Sequence, residues 1–162
     1  MSQNDTVVDV DADDPILQWV TYQLEEETYG INVMQVQEVL RITEIAPVPG
    51  APNYVLGIIN LRGNVVTVID SRKRFGLSSK ESDDNSRIII VEVNGNVVGM
   101  LVDSVAEVVY LHQSEIDTAP NVNNDDSSRF IQGVCSRDEQ LLILVDVDKL
   151  LSEEEISDLS HA

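Results

Sequence analysis

Apolar residues in this chain come in short dense runs instead of recurring every three or four positions along a helical face. Residues 16–24, 28–33, 65–69, 88–93, 96–102 and 141–145 are rich in Val, Ile and Leu, with Gly, Pro, Asn, Asp or Glu between them. Runs of this length and composition predict strands. The clearest is Gly57-Ile58-Ile59-Asn60-Leu61-Arg62-Gly63-Asn64-Val65-Val66-Thr67-Val68-Ile69-Asp70. Two apolar runs flank a tight turn, which predicts a hairpin in which Gly63 takes positive φ and Arg62 stands out from the tip. Positions 65–69 are apolar or β-branched at every step, so that strand is expected to be covered on both faces. Asp70 is then expected to cap a short helix over 71–75 that Gly76 ends.

The same pattern returns. Gly133-Val134-Cys135-Ser136-Arg137-Asp138-Glu139-Gln140-Leu141-Leu142-Ile143-Leu144-Val145-Asp146 repeats the Gly57–Asp70 spacing at an offset of 76, with Leu141, Leu142, Leu144 and Val145 in place of Val65, Val66, Val68 and Ile69. Upstream, Gly30-Ile31-Asn32-Val33 through Glu38-Val39 meets Gly99-Met100-Leu101-Val102 through Glu107-Val108 at an offset of 69. Further back, Trp19, Val20 and Leu24 meet Ile88, Ile89 and Val93. The seven-residue difference places an insertion in the polar stretch 120–129. The chain is an internal duplication, and the duplication sets its architecture.

Within each copy the order is a hairpin, a short connector, then a second hairpin. Glu25-Glu26-Glu27 forms the first turn in one copy and Asn94-Gly95 in the other. One turn of helix entering a strand is expected over 33–40 and again over 102–109. Pro47, Pro49 and Pro52 force an extended connection. Asp146 should cap 147–151 as Asp70 caps its helix. The expected organisation is an acidic tail over 1–15, a first lobe over 16–77, a polar linker over 78–86, a second lobe over 87–151 and an acidic tail over 152–162. About five short strands per lobe predict a mainly β fold of two small barrels that close their own edges and share an apolar seam.

Composition narrows the setting. In 162 residues there are 29 acids against 10 Lys and Arg, for a net charge of -19. Such a surface repels nucleic acid and anionic membranes. The acids interleave with strand-like runs, so disorder is not their explanation; the expected setting is a high-salt cytoplasm, where ions screen the self-repulsion. The single Cys135 excludes an internal disulfide, and its repeat counterpart Ile59 marks it as a small core residue. No apolar run is long enough to span a membrane, and no basic region followed by an apolar stretch opens the chain.

Candidate chemistry is sparse. His112 falls at a loop position and His161 in the tail, with no nucleophile signature beside either. The Asp9–Asp13 run has Asp14 where a calcium loop needs Gly and Val20 where it needs Glu. No clustered metal ligands and no phosphate-binding glycine motif occur. Neither an enzyme nor a bound cofactor or metal is expected. Arg72-Lys73-Arg74 reads as a solvated turn whose cations complement a helix C-terminus. Glu38 and Arg62 are ordinary surface charges taken singly. The second copy, however, replaces Ile-Asn-Leu-Arg-Gly-Asn with Cys-Ser-Arg-Asp-Glu-Gln, so the first tip has room for a role of its own.

Tyr29-Gly30-Ile31, Val36-Gln37-Glu38-Val39, the Gly57–Gly63 segment and Ile69-Asp70 through Phe75-Gly76-Leu77 resemble the chemotaxis coupling proteins of the CheW family. The likeness continues through Val97-Val98-Gly99, Val102-Asp103 and Ile143-Leu144-Val145-Asp146, and covers roughly residues 16–151. The resemblance implies two SH3-like five-stranded barrels and a non-enzymatic adaptor, cytoplasmic in receptor–kinase arrays beneath the membrane. Its implied partners are the helical tips of chemoreceptors and the regulatory domain of the histidine kinase CheA. It implies that Glu38 and Arg62 lie near the receptor-binding surface, with Val36, Val39, Ile88 and Val108 along a groove between the barrels that receives an amphipathic helix. Kinase binding is implied at the barrel ends, chiefly in the second lobe. Gly57, Gly63, Gly99, Asp70 and Asp146 are the expected turn and cap positions. The competing readings are a coupling module excised from a CheV-type protein or from the kinase, and a small-molecule-binding barrel. The first needs a receiver domain for which residues up to Ala162 leave no room.

Overall fold

A computed structural model describes residues 14–78, 80–118 and 130–150. The expected tails, apart from Asp14 and Pro15, and the expected insertion lie outside them. Among the described residues are eleven strands: β1 (Ile16–Leu24), β2 (Glu27–Asn32), β3 (Val36–Arg41), β4 (Val55–Leu61), β5 (Asn64–Asp70), β6 (Arg87–Val93), β7 (Asn96–Val102), β8 (Ser104–His112), β9 (Asp117–Thr118), β10 (Ile131–Arg137) and β11 (Gln140–Val145). The helical elements among the described residues include the single turn α1 (Ser71–Arg74) and 3-10 turns at Val33–Gln35, Gln113–Glu115 and Val147–Lys149. The fold is mainly β, as the short apolar runs require.

Sheet one has the order β8-β1-β2-β11-β10-β9, and sheet two β3-β6-β7-β5-β4. The repeat places β1–β2 on β6–β7, β3 on β8, and β4–β5 on β10–β11. Under that mapping sheet two reproduces the first five strands of sheet one in the same order. The copies therefore exchange their first hairpins. β2 runs parallel to β11, with Gly30 opposite Leu144, and β7 runs parallel to β5, with Gly99 opposite Val68. The expected division into lobes 16–77 and 87–151 is corrected accordingly: each sheet draws strands from both copies. The physical reason lies in β1–β2 and β6–β7, which bury residues on both faces. A hairpin of that kind belongs in the middle of a sheet, not at its edge.

The chain changes sheets at two joints. Val33–Gln35 links β2 to β3 through the expected helical turn, capped by the Asn32 side chain on Met34 N–H. At the equivalent point β7 passes into β8 through Asp103 alone, so the helical turn expected there is replaced by continuous strand. The ladders also remain open, with β3 and β4 as the outer strands of sheet two, which corrects the expectation that each barrel closes its own edge.

The described residues form three apolar clusters. Trp19, Val109, Leu111, Cys135, Leu142 and Leu144 fill sheet one. Ile59, Val66, Val68, Ile88 and Ile90 fill sheet two. Between the sheets lies a larger cluster drawn from both, including Tyr22, Leu24, Ile31, Ile69, Ile89, Val91, Met100 and Val145. Alternate residues of β6 thus enter different cores, which explains its unbroken Ile88-Ile89-Ile90-Val91 run. Each such side chain contributes about 1.5–3 kcal/mol on burial. β5 follows the same rule from Val66 onward, but Val65 at its start is 70% exposed, so the double cover predicted there does not reach it.

Candidate functional site

The Asn-Leu-Arg-Gly stretch builds its own pedestal. Leu61 pairs with Asn64, and Arg62 and Gly63 take φ of 51 and 88, a turn with positive φ at both central residues. The Asn60 carboxamide accepts a hydrogen bond from Gly63 N–H at 2.8 Å and latches the turn. Arg62 stands out at the tip with its side chain 68% exposed. It reaches Glu38 on β3 through a two-pronged contact, Nη1 to Oε1 at 3.3 Å and Nη2 to Oε2. β3 and the β4–β5 hairpin stand at opposite ends of the ladder order, so this ion pair crosses the gap that the backbone leaves open. The hydrogen bond from Arg62 lowers the Glu38 carboxyl below its ordinary range, and the carboxylate raises the guanidinium in turn. Both groups are wet, so the pair orients charge and adds little stability.

The equivalent gap in sheet one is different. Glu38 and Arg62 correspond to Glu107 on β8 and Asp138 at the β10–β11 tip. Among the described residues no hydrogen bond or ion pair joins Glu107 to that tip. A concavity of about 280 Å³ opens there instead, lined by residues that include Thr21, Glu107, Arg137, Asp138 and Leu141.

The remaining expected binding residues separate. Val39 and Val108, repeat equivalents on β3 and β8, are 40% and 42% exposed. Val36 is half-buried against the shared cluster. Ile88 is fully buried in sheet two's own apolar cluster, which corrects its expected place on an accessible groove: both faces of β6 are covered there. Asp70 and Asp146 cap as expected, accepting from Arg72 N–H at 3.0 Å and Asp148 N–H at 3.1 Å. Gly63 sits in its turn. Gly57 and Gly99 do not occupy turns and are corrected to strand positions. Gly57 has φ 153 at a bulge of β4, where a Cβ would come within 2.1 Å of Ala46 O. A Cβ on Gly99 would come within 3.0 Å of Ile88 and 3.2 Å of Val68.

The basic run is the largest departure. Arg72 is buried and ion-paired with Asp103 and Glu25, and the Arg74 guanidinium lies 4.5 Å from the Tyr54 ring centre and 5.0 Å from that of Phe130. Sequence reasoning missed both. The available signal was Asp103, a lone carboxylate between two apolar runs. Cys135 is buried as its counterpart Ile59 foretold, and burial raises its thiol pKa. His112 Nδ1 stands 3.6 Å from Asp14 Oδ2. Among the described residues there is no cluster of three or more His, Cys, Asp or Glu able to hold a metal, and no helix long and apolar enough to cross a membrane.

A family model described as the CheW-like domain matches residues 18–155. The chain is 34% identical to the chemotaxis protein CheW of Treponema pallidum over 154 residues, covering 93% of this chain and 91% of that protein. It is 35% identical to the CheW of Bacillus subtilis over 135 residues, covering 83% and 86%. Among solved structures, the scaffolding protein TtCheW from Thermoanaerobacter tengcongensis superposes with a TM-score of 0.79 at 35% identity, covering 86% of this chain and 94% of that one.

Proposed function

The chain belongs to the CheW family, a family of non-catalytic chemotaxis scaffolds, and on that premise we propose that it couples chemoreceptors to the histidine kinase CheA. The Glu38–Arg62 pair is the observation that carries this reading. It places a fixed, exposed pair of opposite charges at the open edge of sheet two, held by a latched turn on one side and a β3–β6 ladder on the other. An amphipathic receptor helix would meet this pair together with the exposed Val39. The open face of sheet one, where Glu107 and Asp138 stand, is the surface we assign to the kinase regulatory domain. The mechanism is geometric: a rigid body with two separate faces holds two partners at a set spacing, and many such contacts in an array make weak single interfaces sufficient. The working place of the protein is then the cytoplasmic face of a receptor array.

The test is reconstitution of receptor, kinase and this protein, with kinase activity as readout. Arg62→Ala and Glu38→Ala should each weaken receptor-dependent kinase control while the thermal transition stays in place. Unaltered control in both variants would overturn the assignment of this edge to the receptor.

A further inference from the structure

Arg72 is buried in a chain with a net charge of -19, and its guanidinium binds three separate segments. Nε and Nη2 fork onto the two oxygens of Asp103 at 2.8 and 2.7 Å. Nη1 donates to Glu25 at the β1–β2 tip and to Ser78 O at 2.9 Å, where the chain leaves α1. Asp103 is itself tied to the tip, accepting from Glu25 N–H at 2.9 Å and donating its own N–H to Gln23 O at 3.1 Å. Asp103 is the joint where the chain passes from sheet two to sheet one, Glu25 is the tip of the hairpin given to sheet one, and Arg72 and Ser78 belong to the segment that follows β5 of sheet two.

The repeat counterpart of Arg72 is Asp148, and it does a lighter version of the same task. Its carboxylate accepts from Asn94 N–H at 3.1 Å and its carbonyl from Asn94 Nδ2 at 3.2 Å, so it grips the tip of the hairpin given to sheet two. Asn94 is the counterpart of Glu25. One grip is an enclosed ionic fork on two segments besides its own; the other is a surface contact with one.

We propose that Arg72 is the positioning residue that fixes the orientation of sheet one against sheet two, and with it the spacing between the two partner-binding faces. The proposal rests on the adaptor reading for its consequence, though not for its geometry. A planar fork bonded to both carboxylate oxygens dictates direction as well as distance, and a lysine ammonium supplies charge without that direction.

The experiment uses the full chain with Cys135→Val and spin labels at Glu92→Cys on β6 and Tyr110→Cys on β8, one on each sheet. Arg72→Lys should broaden the inter-label distance distribution by about twofold relative to the parent. In the reconstituted array without labels, Arg72→Lys should keep binding to receptor tip and kinase separately, within about threefold, while kinase control in the three-part assembly falls by about tenfold. Asp103→Asn removes the fork from the other side, and Glu25→Gln removes only one arm; the broadening should follow the order Arg72→Lys, Asp103→Asn, Glu25→Gln, and the last two decide the matter if the first does not fold. An unchanged distribution in these variants overturns the proposal. So does a loss of control no larger than the loss in separate binding. If the parent binds neither partner, the adaptor reading fails, while the distance distributions still judge Arg72.

Discussion

Gly30 and Gly99 stand at the same step of the duplicated pattern, each in a strand that lies parallel to the last strand of the other copy. A side chain already occupies the space beside each: Leu144 Cδ2 would be 3.2 Å from a Cβ on Gly30, and Ile88 Cγ2 3.0 Å from one on Gly99. The exchanged hairpins enter their host sheets where the backbone is bare. Substitutions should follow the hardness of what is met. Gly57→Ala faces backbone carbonyl at 2.1 Å with φ 153 and should be the worst. Gly99→Ala presses on β-branched methyls and should cost about 1–3 kcal/mol. Gly30→Ala meets the terminal methyl of the Leu144 side chain at 3.2 Å and should cost least. Urea unfolding of the three variants checks the order, and an inverted order would contradict the packing described.

Arg62 sets the ionisation of Glu38. With Arg62→Ala the Glu38 carboxyl should rise from its lowered value toward the ordinary glutamate value of about 4.3. Carboxyl resonances followed through an acid titration give the shift directly. The unfolding midpoint should move little, because both partners are solvated. A Glu38 pKa indifferent to Arg62 would mean that the pair does not persist in solution.

Much of this was legible in the residues. The duplicated spacing gave the paired hairpins, the Asp70 and Asp146 caps and the burial of Cys135, because each depends on local pattern. Arg62 is singled out by the unlike second tip, whereas Glu38, repeated as Glu107, is marked only by the family resemblance. What stayed hidden depends on partners far along the chain. Periodicity records that β1–β2 and β6–β7 must be covered on both faces, yet both copies offer the same flanking strands, so it does not say which copy receives which hairpin. Three consecutive cations on one helical turn point in three directions, and only the tertiary fold sends Arg72 inward to Asp103 while leaving Lys73 exposed. Ile88 and Val108 look alike as strand valines and isoleucines; their faces differ because β6 is central and β8 is an edge strand.

Asp103 should make the fold acid-sensitive. Burial pushes its carboxyl up, but the Arg72 fork and Glu25 N–H outweigh this and hold it below the ordinary value. A lowered folded-state pKa contributes stability above the unfolded pKa of about 3.9, and that contribution disappears as pH falls through the folded value. Asp103→Asn should therefore be less stable than the parent at pH 7, with the difference shrinking in acid. Urea midpoints for both proteins across that range give the test, and parallel curves would show that Asp103 carries no linked proton.

The surplus of acid makes salt the last control on stability. Lys occurs only at 73, 80 and 149, and among the ionised groups Arg72 and Arg62 are already engaged by carboxylates. The net charge of -19 already counts every Lys and Arg, so it is the unmatched surplus that repels itself. The screening length falls from about 10 Å at 0.1 M salt to about 3 Å at 1 M, a change from the spacing of neighbouring side chains to less than one. The buried Arg72 fork is shielded from those ions, whereas the surface acids are not. The thermal midpoint should therefore climb steadily with KCl, and the exposed fourfold variant Glu26→Gln, Glu44→Gln, Glu92→Gln and Glu139→Gln should climb less because less repulsion remains to be screened. Sucrose, which favours burial without screening charge, should narrow the gap between the two proteins far less than KCl does. Equal salt slopes for parent and variant, or full stability of the parent in dilute buffer, would remove the case for a high-salt cytoplasm.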